Sequence, residues 1–256
     1  MKELEVAISA ARAAGAAIRS LYGSGVEVIE KGDRTESPLT AADTRSNEII
    51  RAAVGAAFPA DGWLSEETED SRERLELRRV WIVDPLDGTR EFVREIPELA
   101  VAIALVEDGA PIVGVTYNPI RDEIFAAARG TGATRNGEPI RVSDRTSLAD
   151  AVLLASRSED ARGEWDRFKG RFRVELTGSV AYKLALVGAG RADATFTLTP
   201  KSEWDVASSV CIIEAAGGRV TDLEGNPLRF NRENTRLAAL VASNGKLHSQ
   251  LLAIVR

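Results

Sequence analysis

Two aspartates separated by Pro-Leu and followed at once by Gly-Thr occur in the run Val83-Asp84-Pro85-Leu86-Asp87-Gly88-Thr89-Arg90-Glu91-Phe92. Carboxylates this close can share a cation, and softer ligands are nearly absent, with Cys211 the single cysteine and His248 the single histidine. Disulfide frameworks, thiolate zinc sites and His-rich metal sites are excluded by that count. A metal held by oxygen alone suits Mg2+, which commonly binds carboxylates, waters and substrate phosphate. The residues from Thr89 read as a helix start, so the Asp87-Gly88-Thr89 turn would present outward backbone N–H groups where phosphate binds readily. Two carboxylates beside a phosphate nest would repel the substrate unless cations intervened.

Further acids are available to complete such a site. Leu64-Ser65-Glu66-Glu67 precedes the run, and Glu203-Trp204-Asp205 opens a helix-like segment far downstream. If Glu66, Asp84, Asp87 and Asp205 converge, paired Mg2+ ions could activate water and stabilise a leaving oxygen, which is the chemistry of phosphate-ester hydrolysis. The tetrapeptide alone is equally a β-turn composition, because Asp, Pro and Gly all favour turns. The spacing fails the alternate-acid pattern of an EF-hand loop. It also fails the phosphoaspartyl pattern of the haloacid dehalogenase type, whose two aspartates lie closer together.

The elements that must position these acids follow from periodicity. Residues 5–21 read as a weakly periodic helix. A second helix has Thr40 as cap, Asp43 at its third position and an apolar stripe of Ile49, Ile50, Ala53, Val54 and Ala57 before Pro59. Val80–Val83 is a short apolar strand that ends at Asp84. From Leu99 to Val142, apolar runs separated by Asp108-Gly109 and Asn136-Gly137 read as an antiparallel meander. Beyond residue 147 strands and helices alternate, including a polar helix around Trp165, a helix at 179–189, one from about Asp205 to Ala216, and a last helix with His248 on its surface. That change divides the chain into 1–147, with the antiparallel sheet and most candidate ligands, and 148–256, with Asp205.

The 256 residues are 44% hydrophobic and 28% charged, as in an ordinary globular protein. A formal charge of -6 argues against coating a nucleic-acid polymer. The longest apolar run, Leu99 to Val106, is far below the roughly 20 residues of a membrane span. Charges spread through the first 23 residues interrupt any signal-peptide core. A cytoplasmic protein acting on a small phosphorylated substrate, with no membrane partner, is expected.

WIVDPLDGTREF, with LSEE upstream and EWDVASSVCIIEAAGGRVTD downstream, resembles the magnesium-dependent, lithium-sensitive phosphomonoesterase superfamily of inositol monophosphatases, fructose-1,6-bisphosphatases and 3'(2'),5'-bisphosphate nucleotidases. The motifs stand in family order, and the resemblance runs from Lys31 to about Phe230. It implies an α+β/α/β fold, the layered αβαβα sandwich of sugar phosphatases, with two or three Mg2+ ions and a homodimer. Glu66, Asp84, the Leu86 carbonyl, Asp87 and Asp205 look like the metal ligands, with Glu67 supporting. Thr89, with Glu66, looks like the group that orients the attacking water, and Gly88 and Thr89 would offer amides to phosphate. Asp43, and Lys31 on a nearby loop, resemble a weaker third-metal site. Ser179, ordinarily a helix cap, becomes a candidate substrate contact. Glu203 is expected to face the leaving group, and Asp205 is a candidate substrate contact as well as a metal ligand. Cys211 is expected as a small buried side chain.

The LDGT-Arg-Glu-Phe form is similar to the bisphosphate nucleotidase branch, which acts on 3'-phosphoadenosine 5'-phosphate. SPLTAAD, LSEE and Ser156-Arg157-Ser158 lean the same way. Thr195–Lys201 lacks the Tyr-Pro-Arg of many nucleotidases, however, and the 179–189 helix has the spacing of inositol phosphatases, so inositol-1-phosphate or broad sugar-phosphate hydrolysis is the alternative. A second phosphate needs a cation, for which Arg157, Lys183 and Lys201 are candidates by type. A catalytically silent metal- or phosphate-binding regulator would be expected to have lost a ligand acid or the threonine, yet Glu66, Asp84, Asp87, Thr89 and Asp205 are all present.

Overall fold

Small apolar residues recur at helical spacing through α1 (Lys2–Leu21), where Ala7, Ala10, Ala11, Ala14 and Ile18 make the buried face. The computed structural model describes residues 1–25, 28, 29 and 39–256. Lys31, expected near a third metal, lies outside the described residues. β1 (Val28–Ile29) pairs antiparallel with β2 (Leu39–Thr40). α2 (Ala41–Ala57) starts as its composition predicts, with Thr40 and Asp43 forming a reciprocal capping box.

β3 (Gly62–Ser65) lies parallel to β4 (Arg79–Asp87). β4 runs further than the apolar run suggests, through Asp84 and Pro85 to Asp87, with its register to the next strand shifted between the two aspartates. Proline, which has no N–H to donate, is tolerated at such an irregularity. After the one-turn α3 (Thr89–Val93) come β5 (Ala100–Glu107), β6 (Ala110–Asn118), β7 (Glu123–Ala128), β8 (Gly132–Arg135) and β9 (Glu138–Ile140). All are antiparallel neighbours, which gives a seven-stranded sheet in the order β3 to β9.

The remaining chain supplies β10 (Val152–Ala155), α4 (Arg157–Ala161), β11 (Arg173–Leu176), α5 (Val180–Gly188), β12 (Ala194–Thr197) and β13 (Lys201–Ser202). α6 (Glu203–Ala215), β14 (Arg219–Thr221), β15 (Arg236–Leu237), β16 (Leu240–Ser243) and α7 (His248–Val255) follow. Five strands form a mixed sheet in the order β11-β10-β12-β16-β14, and β13 and β15 make a separate antiparallel ribbon. Among the described residues no helix is long and apolar enough to cross a membrane.

Strand alternation explains the layering. Along β4 and β5, Trp81, Val83, Val101, Ile103 and Leu105 face one way and pack with α1 and α2. Val80, Ile82, Ala100, Ala102 and Ala104 face the other way and pack with α5 and α6, whose far side meets Leu154, Val220 and Ala242 of the second sheet. The outer face of that sheet, including Leu153, Phe196 and Val241, is covered by α7 and by Trp165, Phe168 and Phe172. The result is an αβαβα sandwich with α5 and α6 in the middle layer.

Two local expectations are corrected. The segment around Trp165 is not one polar helix: α4 stops at Ala161, a single 3-10 turn covers Asp166–Phe168, and Trp165 is buried, stacked on Phe196 with ring centroids 4.2 Å apart. His248 is not on a helix surface. It is buried, with Nε2 2.8 Å from Thr221 Oγ1 and Nδ1 2.9 Å from Ser243 Oγ, and burial lowers its pKa to about 4.

The alanines on the inner face of β5 let α6 approach closely, and Gly114 of β6 marks the limit. A Cβ there would sit 2.0 Å from the Ser208 carbonyl oxygen and 2.9 Å from Cys211 Cβ. Because the obstacle is helix backbone, Gly114→Ala should destabilise the protein by about 2 kcal/mol, lowering Tm by roughly 4–8 °C. A melting temperature equal to wild type would contradict this account of the α6 contact.

Candidate active site

The sequence separation between the candidate acids is closed by two packing events. β3 and β4 pair in parallel with Ser65 opposite Val83, and Glu66 N–H donates to Val83 O at 3.3 Å, so Glu66 leaves the sheet beside Asp84. α6 lies across the inner face of the same sheet with Asp205 in its first turn, where Asp205 Oδ2 accepts the Ser202 N–H at 2.8 Å. One carboxylate oxygen from each of Glu66, Asp84 and Asp205 then lies within 4.8 Å of the others. These three, with Leu86, Asp87 and Gly88, line a cleft of about 640 Å3 whose lining also includes Lys201, Trp204 and Arg236.

Asp87 lines the cleft but is held aside from the three-carboxylate cluster. Its Oδ2 accepts from Ser179 Oγ and from the Ala181 N–H, both at 2.6 Å. Ser179 also accepts the Tyr182 N–H at 3.0 Å, so the expected cap and the grip on Asp87 are one hydroxyl. Its φ is +59°, a conformation that costs a non-glycine residue about 1–3 kcal/mol and persists where surrounding contacts over-determine it. Gly88 is demanded by the turn: its φ is +98°, and a Cβ would lie 3.0 Å from Glu98 O.

Thr89 is buried, with Oγ1 3.0 Å from Asp43 Oδ1 and 3.1 Å from Leu86 O. Asp43 Oδ2 accepts from the Thr40 N–H at 2.8 Å and the Thr40 hydroxyl at 2.6 Å. Burial raises the Asp43 pKa to about 6 despite these bonds. Both Asp43 oxygens are occupied by protein donors, and Asp43 does not line the cleft. Ser46 of α2 donates to Pro85 O at 2.8 Å, a second tie between that helix and the aspartate run.

Glu203 requires correction. It does not face a leaving group: its buried carboxylate accepts the Asn231 N–H at 2.7 Å and the Arg232 N–H at 3.1 Å, outside the cleft lining. Of the three cations considered for a second phosphate, Arg157 is bound to Glu98 at 2.5 Å. Lys183 is buried, donating to Ser156 Oγ at 2.8 Å. Lys201 alone reaches the cleft, while its ammonium lies 3.0 Å from Glu159. Burial opposes ionisation of Glu159, but Lys183 and Lys201 outweigh it and hold that carboxyl far below its usual range. Sequence reading missed Glu159, Trp204 and Arg236; Arg236 arrives through pairing of Arg236 with Ser202 in the β13–β15 ribbon, which has no local signature.

Burial, then the charges of Glu66, Asp87 and Asp205, push the Asp84 carboxyl well above its ordinary range. Burial and Asp87 raise Asp205 to about 7. Such a set binds protons because burial and mutual repulsion disfavour its ionised forms, which Lys201 and Arg236 offset only in part at Asp205, and a divalent cation with oxygen preference relieves the same repulsion. The donors therefore fit a hard metal ion.

Fold and site together define a layered αβαβα sandwich with an acidic cleft whose carboxylates could hold a metal ion. Residues 2–256 match the inositol monophosphatase family. The chain is 35% identical over 268 residues to an inositol-1-monophosphatase of Mesorhizobium japonicum, with 99% of this chain and 96% of the relative covered. Among solved structures it is similar to a Thermotoga maritima IMPase, with a TM-score of 0.87 and 32% identity over 100% of this chain and 97% of that one. It is also similar to CysQ from Bacteroides thetaiotaomicron, described as a bacterial member of the inositol monophosphatase family, with a TM-score of 0.78 and 30% identity over 95% and 97% of the two chains. The chain belongs to the inositol monophosphatase family, whose members are metal-dependent phosphatases, hydrolases of phosphoric monoesters.

Asp205 titrates near 7 in the folded chain but near 3.8 when unfolded, so between those values the folded state binds more protons and stability falls as pH rises. Replacing Asp205 with Asn removes that term. In EDTA, the Tm of Asp205→Asn relative to wild type should climb as pH goes from 4 to 8, and added Mg2+ should reverse the advantage at pH 8. A difference that does not change with pH would contradict the repulsion described for this cluster.

Proposed function

We propose that the chain is a Mg2+-dependent phosphomonoesterase whose preferred substrate carries a second anionic group, with 3'-phosphoadenosine 5'-phosphate the leading candidate. The reading has Glu66, Asp84, the Leu86 carbonyl, Asp87 and Asp205 holding two or three Mg2+ ions. When bound, the ions acidify water and neutralise charge developing on the phosphate and leaving oxygens. Asp43 accepts the hydrogen bond of the Thr89 hydroxyl, which leaves a lone pair of Thr89 Oγ1 to accept a hydrogen bond from the attacking water, and Glu66 receives that water's proton. The Gly88 and Thr89 amides, at a helix start, face the phosphate. Ser179 and the Ala181 N–H fix the angle of Asp87, so the role of Ser179 is to position a ligand. A cytoplasmic homodimer is part of the proposal, with the homodimer resting on the family resemblance and the location on the lack of a signal-like or spanning apolar run in this sequence.

The observation that supports a second anionic group is the groove next to the cleft. It measures about 450 Å3, shares Asp87, Gly88, Val180 and Lys201 with the cleft, and its further lining includes Arg90, Arg94 and Arg157, with Glu91 as the one added acid. Arg90 is the residue that follows Asp-Gly-Thr in the nucleotidase-like motif. Among the described residues neither Arg90 nor Arg94 forms an ion pair, and Lys183 and Lys201 exceed the single charge of Glu159 between them. A phosphate ester seated at the carboxylates would place a second phosphate within reach of these cations. Inositol-1-phosphate is the second reading, favoured by the name of the Mesorhizobium relative.

The test is kcat/KM for 3'-phosphoadenosine 5'-phosphate, inositol-1-phosphate and fructose-1,6-bisphosphate with Mg2+, and with EDTA as control. The expected result is release that EDTA abolishes and a preference for the adenosine bisphosphate of about tenfold, roughly 1.4 kcal/mol of differential transition-state binding. A tenfold preference for inositol-1-phosphate would replace the first reading by the second. Release that continues unchanged in EDTA would remove the metal assignment.

A further inference from the structure

Another groove, of about 560 Å3, is bounded by residues 222–229 and 232–239, and no residue given a catalytic or metal-binding role lines it. Three arginines do: Arg229, Arg232 and Arg236. Several other arginines are paired with carboxylates, as Arg72 is with Glu233, Arg78 with Asp108 and Arg145 with Asp193. The guanidinium contacts of these three are of another kind. Arg229 Nη2 donates to Asp108 O at 2.9 Å, Arg232 Nη2 to Arg236 O at 3.4 Å, and Arg236 to Ser202 Oγ at 3.2 Å and Pro200 O at 3.4 Å. Among the described residues none of the three forms an ion pair. Of the acids in the groove, Asp222 is occupied by the N–H and side-chain amide of Asn226, and Glu224 is exposed.

On a chain of formal charge -6, three guanidinium groups that are not paired with carboxylates line one concavity, an arrangement suited to an anion. Planar guanidinium forks match phosphate oxygens, and the wall that includes Leu223, Leu228 and Leu237 is apolar. Arg236 also lines the catalytic cleft. It lies opposite Ser202 in the β13–β15 ribbon, and the Ser202 N–H holds Asp205. An anion in the groove competes for the Arg236 guanidinium, and each hydrogen bond it takes from Ser202 and Pro200 removes positive charge from the cleft wall.

We propose that this groove is a regulatory site for a small organic phosphate, held by Arg229 and Arg232 with its apolar part on Leu228 and Leu237, and that occupancy weakens substrate binding through Arg236. The effect falls on KM more than on kcat, because the withdrawn charge attracts the anionic ester and takes no part in proton transfer.

Phenylphosphonate, which has an apolar ring and no ester bond to hydrolyse, and inorganic phosphate are suitable probes. Titrated calorimetrically in EDTA, where the acidic cleft repels anions, into the full chain carrying Arg90→Gln/Arg94→Gln to disable the cationic groove beside that cleft, phenylphosphonate should bind at one site and more tightly than phosphate. Arg229→Gln/Arg232→Gln should weaken it by about tenfold or more. With Mg2+ and a phosphate-ester substrate, phenylphosphonate should raise KM of wild type, while the double variant keeps the basal kcat/KM and loses that response. If the double variant melts below wild type, Arg229→Gln alone, a change at an exposed side chain, carries the comparison. No binding in EDTA, binding that the variants retain, or phosphate binding as tightly as phenylphosphonate would overturn the proposal. A KM response that persists in the variants would place the effect in the catalytic cleft and overturn it as well.

Discussion

Carboxylates from three separate parts of the chain come within 4.8 Å of one another at a partly buried cleft, and their mutual repulsion sets the terms for what surrounds them. Left without a cation they are driven toward their protonated forms, as the raised values of Asp84 and Asp205 record. Nothing in the charges alone would bring them together. The attraction that assembles the site is apolar burial in the layers on either side of the seven-stranded sheet, with the acids carried at the ends of the elements so packed.

The middle layer has the largest part in this. α6 contributes Val206, Ala207, Val210, Ile212 and Ile213 to the core between the two sheets, so its N-terminal turn, with Asp205, is fixed by contacts that involve no charge. α5 lies in the same layer and brings Ser179 and the Ala181 N–H onto Asp87. On the opposite face of the sheet, α2 reaches the same run through Asp43 to Thr89 and Ser46 to Pro85. The segment from Asp84 to Thr89 is thus held from both sides of the sheet, which is how a strand irregularity, a left-handed Gly88 and a strained Ser179 can persist together.

Much of this arrangement is legible in the order of the residues. Helix α2 announces its own start through Thr40 and Asp43, the meander through its turn dipeptides, and the metal-type chemistry through Asp84, Asp87 and the scarcity of Cys and His. These are local signals, each complete within a few residues. What is not legible depends on distant contacts. Asp43 looks like a capping residue, and it is one, but its second oxygen meets Thr89 only because α2 packs on β4. Glu203 stands two residues from Asp205 and looks like a neighbour in function, yet the first turn of a helix points successive side chains in different directions, and Glu203 turns to the 231–232 amides. His248 begins a short helix next to Ser249 and Gln250, a polar start that suggests exposure, while Thr221 and Ser243 give its ring two partners inside the core. Glu159 carries no mark of its own in a polar segment, and it gains significance only where Lys183 and Lys201 close on it.

The central claim is that Glu66, Asp84 and Asp205 are brought together to share a divalent cation. Mn2+ has the oxygen preference of Mg2+ and scatters anomalously, so diffraction from crystals grown with Mn2+ locates the ion directly. The account predicts an anomalous peak among the carboxylates of Glu66, Asp84 and Asp205. Strong anomalous peaks elsewhere on the protein, with none among those three carboxylates, would contradict it.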